Sequence, residues 1–241
     1  MKRTVTRYLA STIGLLLVAL GIALSIKSNL GTSPLSCPAY ILSMWGSLSV
    51  GGFTIVVNVC LIAVQLAVLR SRFKLKYLMQ IPASVVFGYL IDFWIWALQA
   101  LQPVTLAARL LCLVACCLVT AVGVSLEVSS QGWMLSAEMT VYAFTKVIGK
   151  PFGTLKIWMD CIYVAISVFA CLILFRNPFG SGDFTGIADV LLSRTPGVVI
   201  GAGTLLCAVL PGFLMRFTDP LADSVLESLR KRDEDRKWRN V

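Results

Sequence analysis

The run GVSLEVSSQGWMLSAEMTVYAFTKVIGKPFGTLKIWMD, residues 123–160, sets Glu127, Glu138, Lys156 and Asp160 within or beside segments apolar enough for lipid. A charge in hydrocarbon costs several kcal/mol, roughly 2.5 to more than 10, so such side chains face a protein interior or a water-filled cavity. Lys156 and Asp160 stand four residues apart and share a helix face. The group counts three carboxylates against one ammonium. A buried excess of carboxylate is relieved by a proton or by a bound cation, and that is the chemistry these residues are suited to. Each also has a plainer reading. Lys156 and Asp160 form a structural ion pair that hides two charges from lipid; Glu127 reaches the interface from the inner end of its span; Glu138 gains from the dipole in the first turn of a short helix.

A second set of polar residues lies earlier in the chain. Lys27, Asn29 and Ser33 flank a turn before a short apolar run, and free N–H groups at residues 34–36 would suit an anionic group, with Lys27 beside them. The alternative for Lys27 is snorkelling to the outer interface. Asn58, Gln80 and Asp92 are isolated polar residues inside apolar runs.

Elements that position such residues must be membrane helices. Of 241 residues, 58% are hydrophobic and 14% charged, against about 25% charged in ordinary soluble domains. Several apolar runs reach the roughly 17–25 residues a spanning helix needs, and the alternation of a β-barrel is absent. The sequence therefore predicts an all-α polytopic membrane protein with the lipid bilayer as its surroundings. The net charge of +9 comes from Lys and Arg in short loops and the tail, where they set topology; nucleic acid is not an expected partner. There is no histidine, which excludes Ser-His and Cys-His catalysis and His-ligated metals. The eight cysteines (Cys37, Cys60, Cys112, Cys116, Cys117, Cys161, Cys171, Cys207) lie in apolar segments without a CxxC and read as packing residues. Cys112 and Cys116 share a helix face, but two thiols do not complete a metal site. No cofactor or metal is expected.

Full spans are predicted at residues 8–26, 53–69, 78–98, 104–128, 153–174 and 197–215. Met1 with Lys2, Arg3 and Arg7 precedes the first, which is read as a spanning helix, not a cleaved signal, N-terminus inside. The apolar elements at 34–46 and 134–147 are too short to cross, at about 20 Å each. They suit re-entrant or broken helices, which survive at membrane depth only when buried in protein or lining a cavity. Asn29-Leu30-Gly31 is a turn signal, Ser33-Pro34 an N-cap followed by proline, and Gly149-Lys150-Pro151 a helix stop. Residues 176–196 read as a loop with a short interfacial helix at 187–192, and 219–241 as a polar tail with a helix around Val225 and Leu229.

The chain also repeats itself. One constant shift carries Gly21 onto Gly123, Asn29 onto Gln131, Gly51 onto Gly153 and Asn58 onto Asp160. A second carries Gln80 onto Thr204, Gly88 onto Gly212 and Asp92 onto Arg216, the extra residues falling in the loop before the last span. The first-half counterparts of the charged group are Ser25, Cys37 (or Ser36), Thr54 and Asn58, polar but uncharged. If the short elements return to the side they entered, all Lys and Arg except Lys27, Arg109, Arg176 and Arg194 fall inside, as the positive-inside rule favours. Each half then crosses three times. The expected fold is two inverted three-span halves, each with a short re-entrant or broken helix: residues 1–102, residues 103–216, and a basic cytoplasmic tail at 217–241.

The strings KSNLGTSP, GGFTIVVN, QIPASVVFGYLID, GVSLEV and GKPFGTLKIWMD, closed by Gly203, Thr204, Gly212 and Arg216, resemble the YczE/YyaS/YitT-type bacterial integral membrane proteins over about residues 8–216. The resemblance implies a multi-pass protein of the bacterial cytoplasmic (inner) membrane and brings no catalytic residue set; the positive-inside topology places both termini in the cytoplasm. The function expected is secondary transport or export of a small molecule or ion, proton-coupled through the inner acids. A passive channel, or a non-transporting membrane protein that assists assembly or regulation, are the alternatives. An enzyme is not expected, since no metal motif, nucleotide loop or nucleophile constellation is present.

Overall fold

Apolar runs punctuated by Gly, Pro and short polar stretches become eight helices among the described residues, which are 2–69, 78–130, 132, 134–175 and 199–238 of a computed structural model. They are α1 (Lys2–Ser28), α2 (Cys37–Trp45), α3 (Val50–Leu69), α4 (Gln80–Ala97), α5 (Leu106–Ser130), α6 (Ser136–Ile148), α7 (Phe152–Phe175) and α8 (Ala202–Trp238). Six of these, all but α2 and α6, are long and apolar enough to cross a membrane. The chain is a multi-pass helical membrane protein. The basic cluster at 70–76 and the loop at 176–196 with its expected interfacial helix lie outside the described residues.

The short elements fall where they were expected, with one shift. Regular helix in α2 starts at Cys37, three residues after Ser33-Pro34. Pro38 has no N–H to give Pro34, so residues 34–36 form only a turn closed by Ser36 N–H and Cys37 N–H donating to the Ser33 carbonyl (2.9 and 3.0 Å). α6 stops at Gly149, whose left-handed φ of 75° lets its N–H cap the Thr145 carbonyl at 2.9 Å. The tail does not begin a new element: α8 runs on to Trp238 through Pro211 and Pro220.

α1 and α5 form the centre, with half or more of their spanning windows buried (56% and 50%), while the other spans bury 22–33%. Small residues allow it: a Cβ on Gly14 would lie 2.7 Å from the Gly123 carbonyl oxygen, and one on Gly123 2.9 Å from that of Gly14. Around this pair, Leu15, Val18, Ile22, Phe87, Ile91, Val124 and Met215 make the main core. Outward rows such as Leu111, Val114, Leu118 and Val122 on α5, or Ile162, Ile166, Phe169 and Ile173 on α7, are exposed and apolar, the surface a lipid tail accepts.

The positions related by the sequence shifts make matching contacts. Ser33 N–H donates to Ser25 Oγ (3.1 Å), and Leu135 N–H donates to Glu127 Oε1. Ser28 Oγ donates to the Ser25 carbonyl (2.7 Å) and Ser130 Oγ to the Glu127 carbonyl (3.0 Å). Leu30 N–H donates to Ser28 Oγ (3.3 Å) and Gly132 N–H to Ser130 Oγ (3.4 Å). The α3–α4 and α7–α8 crossings are likewise alike. A Cβ on Gly88 would stand 2.7 Å from both the Gly51 oxygen and Ile55 Cγ1; one on Gly212 would stand 3.1 Å from the Gly153 oxygen and 2.7 Å from Ile157 Cγ1. Gly88→Val and Gly212→Val are each expected to lower stability by about 1–3 kcal/mol through overpacking. Thermal unfolding in detergent measures this, and an unchanged midpoint in either variant would mean that its crossing is not tight.

Candidate functional site

The short helices are the pivot of the site. α2 packs on α3 and α7, and α6 on α7 and α3, so each touches the span that follows the other. Leu35, Ala137 and Tyr163 pack together with Leu61 and Met159. Leu35 is the counterpart of Ala137 by the sequence shift, and Leu61 of Tyr163. Residues that correspond therefore meet at one place, where the starts of the two short elements face α3 and α7.

Beside this place the four charged residues converge. The last turn of α5 supplies Glu127, the first turn of α6 Glu138, and α7 both Lys156 and Asp160. Lys156 Nζ donates to Asp160 Oδ1 at 2.8 Å, the i, i+4 pair the spacing predicts. Lys156 also feels the charges of Glu138 and Glu127. Exposure decides what kind of site this is: Glu127 0%, Glu138 1%, Lys156 5%, Asp160 2%. The group is sealed from both lipid and bulk water. Glu127 thus does not reach the interface; it turns inward because its Oε1 takes the Leu135 N–H at the start of α6, where a helix leaves N–H groups without intrahelical partners.

Several polar atoms here have nothing to bond. Glu127 Oε2, Glu138 Oε2, Tyr163 Oη and Ser167 Oγ are buried without a hydrogen-bond partner. Buried polar atoms are ordinarily paired, so these four stand out among the buried polar atoms of the described residues. Tyr163 and Ser167 were not singled out from the sequence. The signal available was their spacing: with Asp160 they lie along one stripe of α7, all buried in an otherwise lipid-facing helix.

A polar bracket from the first half holds the start of α6. Gln65 on α3 and Gln80 on α4 bond each other (3.1 and 3.0 Å), and Gln65 Nε2 reaches the Ser136 carbonyl (2.8 Å) and Thr140 Oγ1 (3.0 Å). Gln80 thereby braces the start of α6 through Gln65. Asn58 is buried on α3, at the counterpart position of Asp160.

The remaining second-rank residues lie elsewhere. Asp92 holds the start of α3, accepting from Gly51 N–H (2.9 Å) and Ser49 Oγ (2.7 Å). Lys27 ends α1, and Asn29 (φ 57°) and Gly31 (φ 119°) make the tight turn after it. Of the N–H groups expected at 34–36 to hold an anion, those of two positions cannot serve. Pro34 has no N–H, Ser33 N–H is taken by Ser25, and Ser36 and Cys37 N–H by the Ser33 carbonyl. That loop is instead tied to the start of α8: Thr32 N–H donates to the Val199 carbonyl and Gly203 N–H to the Leu30 carbonyl, both at 2.9 Å.

Comparison with known proteins agrees with the resemblance drawn from the sequence motifs. The chain is similar to the uncharacterized protein YyaS of Bacillus subtilis (strain 168), 26% identical over 227 residues, which cover 94% of this chain and 98% of that protein. No solved structure matches it. Residues 5–220, which contain both short helices and all four charged residues, match the family of unknown function DUF6198, and the chain belongs to that family.

Proposed function

We propose that this protein is a secondary transporter of a small solute or ion, and that the α5–α6–α7 acids are its coupling site for a proton or cation. The observation that carries this reading is the sealed group of three carboxylates against one ammonium, with a free oxygen on each of Glu127 and Glu138. Leaving a buried charge uncompensated is strongly unfavourable, so a cation or a proton must share the site in at least one state. The architecture proposed is two repeats of opposite orientation, residues 1–102 and 103–216, in the bacterial cytoplasmic membrane with both termini inside. The matching serine and glutamate caps, the paired glycine crossings and the meeting of Leu35 with Ala137 support it. Many secondary transporters place substrate and ion sites at such a repeat interface, on discontinuous helices. Full burial of all four groups fits an occluded site better than an open pore, and no enzymatic activity is proposed.

Glu138→Gln tests the coupling. The amide keeps shape and hydrogen-bonding capacity but cannot take up a proton, so fold and abundance are expected to stay while gradient-dependent flux falls to background. The measurement is a pH-sensitive dye in proteoliposomes challenged with a mixed solute library. Proton movement equal in wild type and Glu138→Gln, for every solute that elicits it, would leave Glu138 a structural residue.

A further inference from the structure

Three thiols that the sequence scatters come together where α8 crosses α5. Cys116 and Cys117 are neighbours on α5, about 100° apart around the helix at 3.6 residues per turn, and Cys207 of α8 sits between them. The sulfurs are 3.9 Å apart for Cys116–Cys207 and 3.7 Å for Cys117–Cys207, and all three lie within 4.8 Å of one another. All three residues are buried, and Leu30, Leu113, Leu24, Leu210 and Leu214 surround them. We propose that Cys116, Cys117 and Cys207 form a binding site for a soft monovalent metal ion of the Cu(I) type.

The ligand set argues for that class. Sulfurs about 2.3 Å from a shared ion, arranged in a triangle, stand about 4 Å apart; the two separations from Cys207 are 3.9 and 3.7 Å, and the third lies within 4.8 Å. Hard cations such as Mg²⁺ and Ca²⁺ need oxygen ligands, and the surroundings are leucines. Zn²⁺ takes four ligands in structural sites, whereas three sulfurs complete the coordination of Cu(I), which soft sulfur ligands select. On binding, the +1 ion enters and at least one thiol releases its proton to the medium, so an apolar setting need not hold a net charge. Thr120, one turn beyond Cys116, has a buried hydroxyl oxygen with no partner; a thiolate at Cys116 would supply an acceptor, the outer bond that metal ligands ordinarily have.

The test is Cu(I) binding by the purified full chain in detergent under anaerobic, reducing conditions, against a chromogenic Cu(I) chelator, with Ag(I) as redox-inert stand-in. One equivalent is expected to be withdrawn from the chelator by wild type and by Cys60→Ala and Cys161→Ala, whose thiols are exposed on α3 and α7. Cys207→Ala and Cys117→Ser are expected to weaken binding at least ten-fold. Failure of the wild type to compete, or equal affinity in wild type and Cys207→Ala, overturns the proposal. Should Cys207→Ala fail to fold, X-ray absorption on the loaded wild type decides: three sulfur neighbours support the site, and fewer than three overturn it.

Discussion

Lys156→Ala alone is expected to cut the amount of folded protein in the membrane at least ten-fold, while Lys156→Ala with Asp160→Ala restores most of it. The Nζ–Oδ1 contact of 2.8 Å is buried on both sides. Removing one partner of such a pair costs about 3–5 kcal/mol, because the other is left charged without water or counter-ion, whereas removing both does not. The effect is enlarged here because Lys156 is also near Glu138 and Glu127, so its loss leaves three carboxylates without a cation. Abundance by fluorescence-detected size exclusion, for both singles and the double, is the measurement. Equal damage from Lys156→Ala and from the double variant would show that the two residues act separately.

The second large effect is at Glu127, where charge and capping separate by substitution. Glu127→Ala strands the Leu135 N–H in a buried position and is expected to cost about 1–3 kcal/mol, a drop of several degrees in the thermal midpoint. Glu127→Gln keeps a carbonyl oxygen in the same place and should lie close to wild type. Glu127→Ser copies the arrangement at Ser25, which takes the Ser33 N–H at 3.1 Å, and should fall between them. If Ala and Gln prove equally harmful, it is the charge and not the cap that holds α6.

Helix positions were legible because lipid imposes long apolar runs, and all six spans follow from that alone. The short elements were legible for the same reason, by their failure to reach crossing length. Lys156 and Asp160 were readable as a pair from one turn of spacing. What Glu127 does was not, since its partner is a backbone N–H across a corner that composition does not describe. The Gln65–Gln80 bracket joins two helices through a pairing that spacing does not reveal: Gln80 stands out in its run, but Gln65 does not. The thiol trio was out of reach for a simpler reason: Cys117 and Cys207 are separated by 90 residues, and spacing rules see only neighbours on one helix. The helix expected around Val225 and Leu229 is present, but its continuity with the last span was not legible, because polarity rises sharply where α8 simply runs on.

The tie between the turn at Leu30–Thr32 and the strap at Val199–Thr204 has a consequence for how the chain is made. Thr32 and Val199 are 167 residues apart, so at about 5–20 residues per second the ribosome needs roughly ten to thirty seconds to supply the second after the first. Throughout that interval the Thr32 N–H and the Leu30 carbonyl have no protein partner, and hydrocarbon offers none. Until α8 arrives, those groups depend on water or on other polar partners. The first turn of the protein to leave the ribosome is thus among the last to gain its protein partners, Val199 and Gly203.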